Sequence, residues 1–198
     1  MTEHDTLLPP AFDPADAQAA AARFAASAPA DVAYAVVDSP LGPLVAARTG
    51  RGLARLAYAD SGGGVDAVLD ELAAKLSPRI LRAPARLDDV RRELDEYFAG
   101  HRRDFDVTID WTLTPSFGRR VLEATAAIPF GGVSTYGTIA ARAGNERAAR
   151  ATGRALGANP IPIVVPCHRV LDSRGGLHGY AGGLERKEAL LRLEGAIL

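Results

Sequence analysis

The segment Asn159-Pro160-Ile161-Pro162-Ile163-Val164-Val165-Pro166 constrains this chain more than any other stretch of its 198 residues. Its prolines exclude a helix, because they carry no backbone N–H, and the β-branched residues between them favour an extended, buried run. That run leads straight to Cys167, the only cysteine, followed by His168 and Arg169. One cysteine forms no internal disulfide and offers no thiolate pair to a zinc site of the multi-cysteine kind. A lone buried cysteine is commonly a plain hydrophobe, and the neighbours decide otherwise here. A free thiol has a pKa of about 8.5 and becomes a nucleophilic thiolate near neutrality only where its surroundings pull that value down. Consecutive residues on a strand point to opposite faces, so His168 reaches Cys167 only if the chain turns there, directly or through water. The glycine-rich Gly179-Tyr180-Ala181-Gly182-Gly183 downstream predicts such a turn and a pocket wall.

Length allows one large domain or two small ones. With 47% hydrophobic and 24% charged residues, the chain can bury a core as a soluble globular protein. No apolar stretch approaches the roughly 18 residues that cross a bilayer. The start, MTEHDTLLPP, lacks a basic and an apolar leader region, so membrane and secretion are not expected and a reducing cytoplasm is. Net charge is only −1, yet residues 1–110 hold 12 Lys+Arg against 18 Asp+Glu, and residues 111–198 hold 11 against 6. The basic back half can attract phosphate.

Residues 1–30 read as an Ala/Pro-rich extension, with Asp13 as N-cap and Pro14 opening a helix. Residues 31–111 read as a small α/β domain. It comprises a strand meander over 32–59 punctuated by Ser39-Pro40-Leu41-Gly42 and Thr49-Gly50-Arg51-Gly52, helices over Val65–Leu76 and Leu87–Phe98, and a strand at Phe105–Ile109. Residues 112–198 form the second unit, with a helix capped by Ser116 and ended by Pro129. A helix over Tyr136–Ala143, a turn at Gly144-Asn145 and a helix over Glu146–Leu156 have helix-turn-helix proportions. Ala148, Ala149, Ala151, Gly153 and Ala155 leave the second of these helices almost without bulk, while Arg150 and Arg154 project together at i, i+4. A final amphipathic helix carries Leu184, Leu190, Leu191 and Leu193 and stops at Gly195. The fold class is therefore α/β, a small N-terminal domain with an antiparallel sheet followed by a mainly helical C-terminal domain. His4, His101 and His178 have no partner at metal spacing and are expected to be solvated or locally bonded.

Pro166-Cys167-His168-Arg169-Val170, Asn159 eight residues before the cysteine, Gly179-Tyr180-Ala181-Gly182-Gly183-Leu184, and Lys187 to Glu194-Gly195 together resemble the O6-alkylguanine-DNA alkyltransferases. Asp38-Ser39-Pro40-Leu41-Gly42 resembles their front domain. The resemblance implies direct-reversal DNA repair: one irreversible alkyl transfer from O6-alkylguanine, with O4-alkylthymine as a further candidate substrate, to Cys167, without a cofactor or metal. It implies that His168 and Glu194 relay the thiol proton, that Asn159 braces them, and that Tyr136 donates toward guanine N3. The backbone N–H of Ala181 would face O6 in a pocket lined by Tyr180, Gly182 and Val170. It places Arg150 as the finger that replaces a flipped nucleotide, with Ala149, Gly153 and Arg154 against duplex DNA in the minor groove, the protein acting as a monomer. Ala181 stands where some relatives have Ser, a departure bearing on loop packing and substrate preference. A non-catalytic damage sensor is the alternative, disfavoured because such proteins lack the cysteine; a cysteine hydrolase leaves Arg150 unexplained.

Overall fold

The β-prone runs between the turn signals become three strands, β1 (Val32–Val37), β2 (Leu44–Thr49) and β3 (Gly52–Tyr58), paired antiparallel in sequence. These are seen in a computed structural model of the protein, which describes residues 14–27 and 30–198. A short β4 (Ile80–Arg82) joins β1 in parallel, giving the order β3-β2-β1-β4. The parallel pairing needs a crossover, and α2 (Gly64–Lys75) supplies it. Val68 and Leu72 of α2 pack on Val32, Val45, Ala47 and Ala57 on one side of the sheet. The other face carries Ala35, Val37, Leu44, Ala46 and Leu56, which join a cluster with Val90, Leu94 and Tyr97 of α3 (Asp88–Phe98). The same cluster runs on without a break into Val121, Leu122, Ile139, Ile161 and Ile163, so the two halves share one core. A fully buried Leu or Ile is worth roughly 1.5–3 kcal/mol, which makes this shared layer a strong tie.

An extension helix, α1, spans Pro14–Ser27. Pro14 is also the first described residue, so the expected helix opening with its Asp13 cap lies at the limit of the described residues. Phe105–Ile109 does not form the expected strand; its only ladder contact is a bridge between Leu53 and Ile109. The edge of β3 has two claimants. Leu53 exchanges bonds with Thr108 O and Asp110 N, but Leu56 N donates to Pro160 O (2.8 Å), which takes the rest of the edge for the back half. Gly52 makes the first approach possible, since a Cβ there would lie 2.3 Å from the Thr108 carbonyl oxygen.

The back half opens with α4 (Ser116–Ala126). Ser116 is its first helical residue rather than its cap; Pro115, with φ −60°, holds the cap position, and its carbonyl accepts from Arg119 N at 2.7 Å. Helix α5 (Tyr136–Arg142) is capped by Thr135, whose hydroxyl accepts from Thr138 N. Helix α6 spans Ala149–Gly157, starting three residues later than the sequence reading. The delay comes from Asn145, which ties residues 145–148 into a turn by accepting from Arg147 N at its side chain and from Ala148 N at its carbonyl. A two-stranded parallel pair, β5 (Ser134–Thr135) with β6 (Val170–Leu171), links the start of α5 to the chain after Cys167. Helix α7 (Leu184–Leu193) buries Lys187, Leu190 and Leu191, whereas Leu184 and Leu193, in its first and last turns, are exposed.

Candidate active site around Cys167

Residues 159–171 are all buried, as the apolar run predicts, but they are coiled rather than extended. Pro160, Pro162 and Pro166 cannot donate to a ladder, and the N–H groups between them close short turns instead: Val164 to Pro162 O, Val165 to Ile161 O, Cys167 to Val165 O. Ile163 sits at φ 74°, a conformation that costs a β-branched residue about 1–2 kcal/mol and survives only where surrounding packing dictates it. Asn159 staples the coil. Its Oδ1 accepts from Ile161 N (3.0 Å), and its Nδ2 donates to Val165 O (2.8 Å) and to Cys167 Sγ (3.1 Å). The amide is thereby fixed with its N–H at the sulfur, where it favours the thiolate.

A 3₁₀ turn over Cys167–Arg169 then sends His168 and Arg169 inward toward Glu194, the residue after α7. Glu194 Oε1 accepts from His168 Nε2 (2.9 Å), Arg169 Nη2 (2.8 Å) and the Tyr97 hydroxyl (2.6 Å); Oε2 accepts from Arg169 Nε (2.8 Å). Arg169 Nη1 donates to Ile128 O. These donors outweigh burial and hold the Glu194 carboxyl down at about 2. An ionised carboxylate only accepts, so His168 carries its proton on Nε2, and Nδ1, buried and without a partner among the described residues, is left as an acceptor. Burial pushes the imidazole pKa down and the Cys167 thiol pKa up, the latter opposed by Asn159 and by the charge of Lys187. This corrects the sequence expectation of a thiol pKa pulled down by its surroundings. The resting pair is thiol and neutral imidazole, with Nδ1 as the only free base within the turn. Among the described residues no hydrogen bond joins Cys167 Sγ to the His168 ring, although the His168 backbone N–H bonds the sulfur.

Lys187 is the residue the sequence reading used only for spacing. It is fully buried, and its ammonium donates to Val170 O (2.7 Å) and His178 O (2.9 Å). A lysine on the same helical face as Leu190 and Leu191 was the available signal. Arg169 and Tyr97 had none, since neither lies in a pattern that marks a polar partner.

Tyr136 opens α5, and its hydroxyl donates to His178 O (3.1 Å) while its ring lies against Gly153 of α6. His178 in turn bonds Asp172, the local partner expected of it. Tyr180 is half-buried, edge-on to the His168 ring at 6.5 Å, with its hydroxyl 3.0 Å from that of Tyr58 on β3. Ala181 is exposed, and Gly182 fits so tightly that a Cβ would lie 2.3 Å from the Tyr58 ring. Val170 is buried and faces no open space. A cavity of about 220 Å³ lies between the halves, lined in part by Asn159, Pro162, Ala181 and Tyr58. On α6, Thr152 and Leu156 point inward; Ala149, Arg150, Arg154 and Gly157 are exposed and Gly153 half-exposed, forming one stripe. Neither Arg150 nor Arg154 makes an ion pair with the described residues. No group of three His, Cys, Asp or Glu side chains among them is placed to hold a metal ion, and no helix among them is long and apolar enough to cross a membrane.

Two family models match the chain: the 6-O-methylguanine DNA methyltransferase ribonuclease-like domain over residues 32–111 and the DNA binding domain of the same proteins over 116–196. Methylated-DNA–protein-cysteine methyltransferase of Mycobacterium tuberculosis is 40% identical over 81% of this chain and 91% of its own. That of Methanosarcina acetivorans is 39% identical over 82% and 98%. The crystal structure of the M. tuberculosis O6-methylguanine methyltransferase superposes with a TM-score of 0.71 at 39% identity, covering 83% of this chain and 93% of that one, and the same protein in complex with DNA gives the same values. With both halves matched and relatives covered almost end to end, this chain belongs to the O6-methylguanine-DNA methyltransferases, which repair DNA by alkyl transfer to a protein cysteine.

Proposed function

We propose that Cys167 is the alkyl acceptor. Its sulfur attacks the alkyl carbon of O6-alkylguanine in line; the new S–C bond forms as the C–O6 bond breaks, and the electron pair leaves with the base. The thiol proton passes to His168 Nδ1, directly or through one water, and the imidazolium is stabilised by Glu194. The observation that carries this reading is the Asn159 amide 3.1 Å from Cys167 Sγ beside a buried pair formed by His168 of the same turn and Glu194 at the end of α7. The thioether product has no water-labile bond, so the protein acts once and needs no cofactor. A thiol held at the reacting position also separates this chain from a non-catalytic damage sensor.

The partner is double-stranded DNA containing O6-alkylguanine, entered from the minor groove by α6. The exposed Ala149, Arg150, Gly153 and Arg154 stripe supports this, because small residues permit close approach and unpaired arginines meet phosphates and the gap left by the base. The flipped base sits against Tyr180, Ala181 N–H and Gly182; Val170, fully buried, is not open to it. Tyr136 exchanges its bond to His178 O for one to guanine N3. We read residues 1–30 as an extension, 31–111 as the front domain and 112–198 as the DNA-binding and transfer domain, acting as a monomer in the cytoplasm.

With limiting protein and excess duplex carrying O6-methylguanine, repair should plateau at one methyl per protein molecule; continued turnover contradicts the proposal. Arg150→Ala should slow repair of duplex by about tenfold or more, since flipping costs a few kcal/mol, and leave attack on free O6-benzylguanine nearly unchanged. Equal losses on both substrates would remove Arg150 from flipping.

A further inference from the structure

We propose that Tyr97, carried by α3 in the front half, is a positioning residue of the transfer site: its hydroxyl shares Glu194 Oε1 with His168 and sets how strongly the carboxylate holds the imidazole. The inference rests on the Cys167–His168–Glu194 reading above and assigns a role to a residue outside the matched DNA-binding segment, which begins at 116.

Tyr97 is completely buried, and its ring is fixed by Phe98, Phe105 and Phe130 at centroid distances of 5.3, 5.3 and 6.1 Å. Only the hydroxyl has polar business, and it spends its hydrogen on Oε1 at 2.6 Å, the shortest bond that carboxylate receives. Burial and the neighbouring carboxylate push the phenol pKa up, so it stays protonated and can only donate to Glu194. The charged and titratable groups facing this pair are Arg169 and His168 on the turn and Tyr180 beside the His168 ring, with Tyr58 of β3 acting on Tyr97 and Lys187 of α7 on His168. Glu194 is thus gripped on one side by Arg169, from its own half, and on the other by Tyr97, from the sheet half. Without the phenol, Oε1 keeps two donors and directs more of its charge to His168. The imidazolium becomes easier to form, so the neutral imidazole that takes the thiol proton persists only at higher pH. At the same time the carboxylate loses one of its anchors, so the imidazole is less well aimed.

The test is the pH dependence of single-turnover methyl transfer from an O6-methylguanine duplex, with the rate of Cys167 alkylation by iodoacetamide as a second reading. Tyr97→Phe retains every ring contact. Its acid-side midpoint should move to higher pH by about half a unit, the size expected for one charge-assisted hydrogen bond partly compensated, and its plateau rate should fall by about threefold. Phe105→Leu loosens the same ring cluster without touching the hydroxyl and should keep the wild-type midpoint in both assays. An unchanged Tyr97→Phe midpoint, a shift to lower pH, or the same shift in Phe105→Leu overturns the proposal. Failure of the wild-type protein to accept methyl on Cys167 instead overturns the reading on which it rests, a result visible before any variant is compared.

Discussion

Cys167→Ala is expected to abolish methyl transfer while leaving both the fold and the affinity for O6-methylguanine duplex close to wild type. The sulfur is the only nucleophile in the turn, and nothing in the buried shell around it can replace it: Asn159 and Lys187 are donors, and His168 Nδ1 is a base. The methyl side chain of Ala leaves the Asn159 staple its bond to Val165 O, so the coil over 159–166 persists. Loss of one buried sulfur should cost about 1–2 kcal/mol. Gel-shift affinity and melting temperature measured beside transfer check this. Residual stoichiometric transfer in the variant would assign the chemistry to another residue.

Arg169→Leu should have the largest effect on stability. It removes the bonds at 2.8 Å to both oxygens of Glu194, leaving a buried carboxylate with neutral donors only. Breaking a buried ion pair from one side costs about 3–5 kcal/mol, on the order of a 10 °C fall in melting temperature for a chain of this size. The pH dependence should also change sign. In the wild type, the Glu194 carboxyl at about 2 lies below its unfolded value of about 4.3; its contribution is full above pH 4.3 and lost as pH falls toward 2. Once the guanidinium is gone, burial raises the folded value above the unfolded one, so the deficit is worst near neutrality and shrinks as pH falls toward 4. Thermal melts at pH 7 and pH 5 distinguish these outcomes, and a variant that is equally stable at both, within about 1 kcal/mol of wild type, would contradict the assignment of Arg169 as the counter-ion.

The order of elements was legible because periodicity and turn residues report local structure directly: β1 to β3, α2, α3 and the α5–α6 pair follow from apolar spacing and glycines. Where competition between distant segments decided the outcome, local pattern misled. Phe105–Ile109 alternates as a strand does, yet Pro160 takes part of the β3 edge it needs. The proline run was rightly excluded from helix and wrongly drawn as extended, because missing N–H donors do not say which turns the remaining donors will close. Around the cysteine, the family resemblance named Asn159, His168 and Glu194, while Tyr97 and Arg169, which hold Glu194 in place, are defined by contacts across 97 and 25 residues of sequence that no local rule connects. Resting ionisation was also out of reach, since burial depth sets it.

Peptide mass mapping after incubation with O6-methylguanine duplex tests the central claim most directly. One methylene's mass should appear on the peptide containing Cys167, once per molecule, with unmodified guanine restored in the DNA. Methyl found on any other residue, or repaired DNA beside an unmodified Cys167, would contradict it.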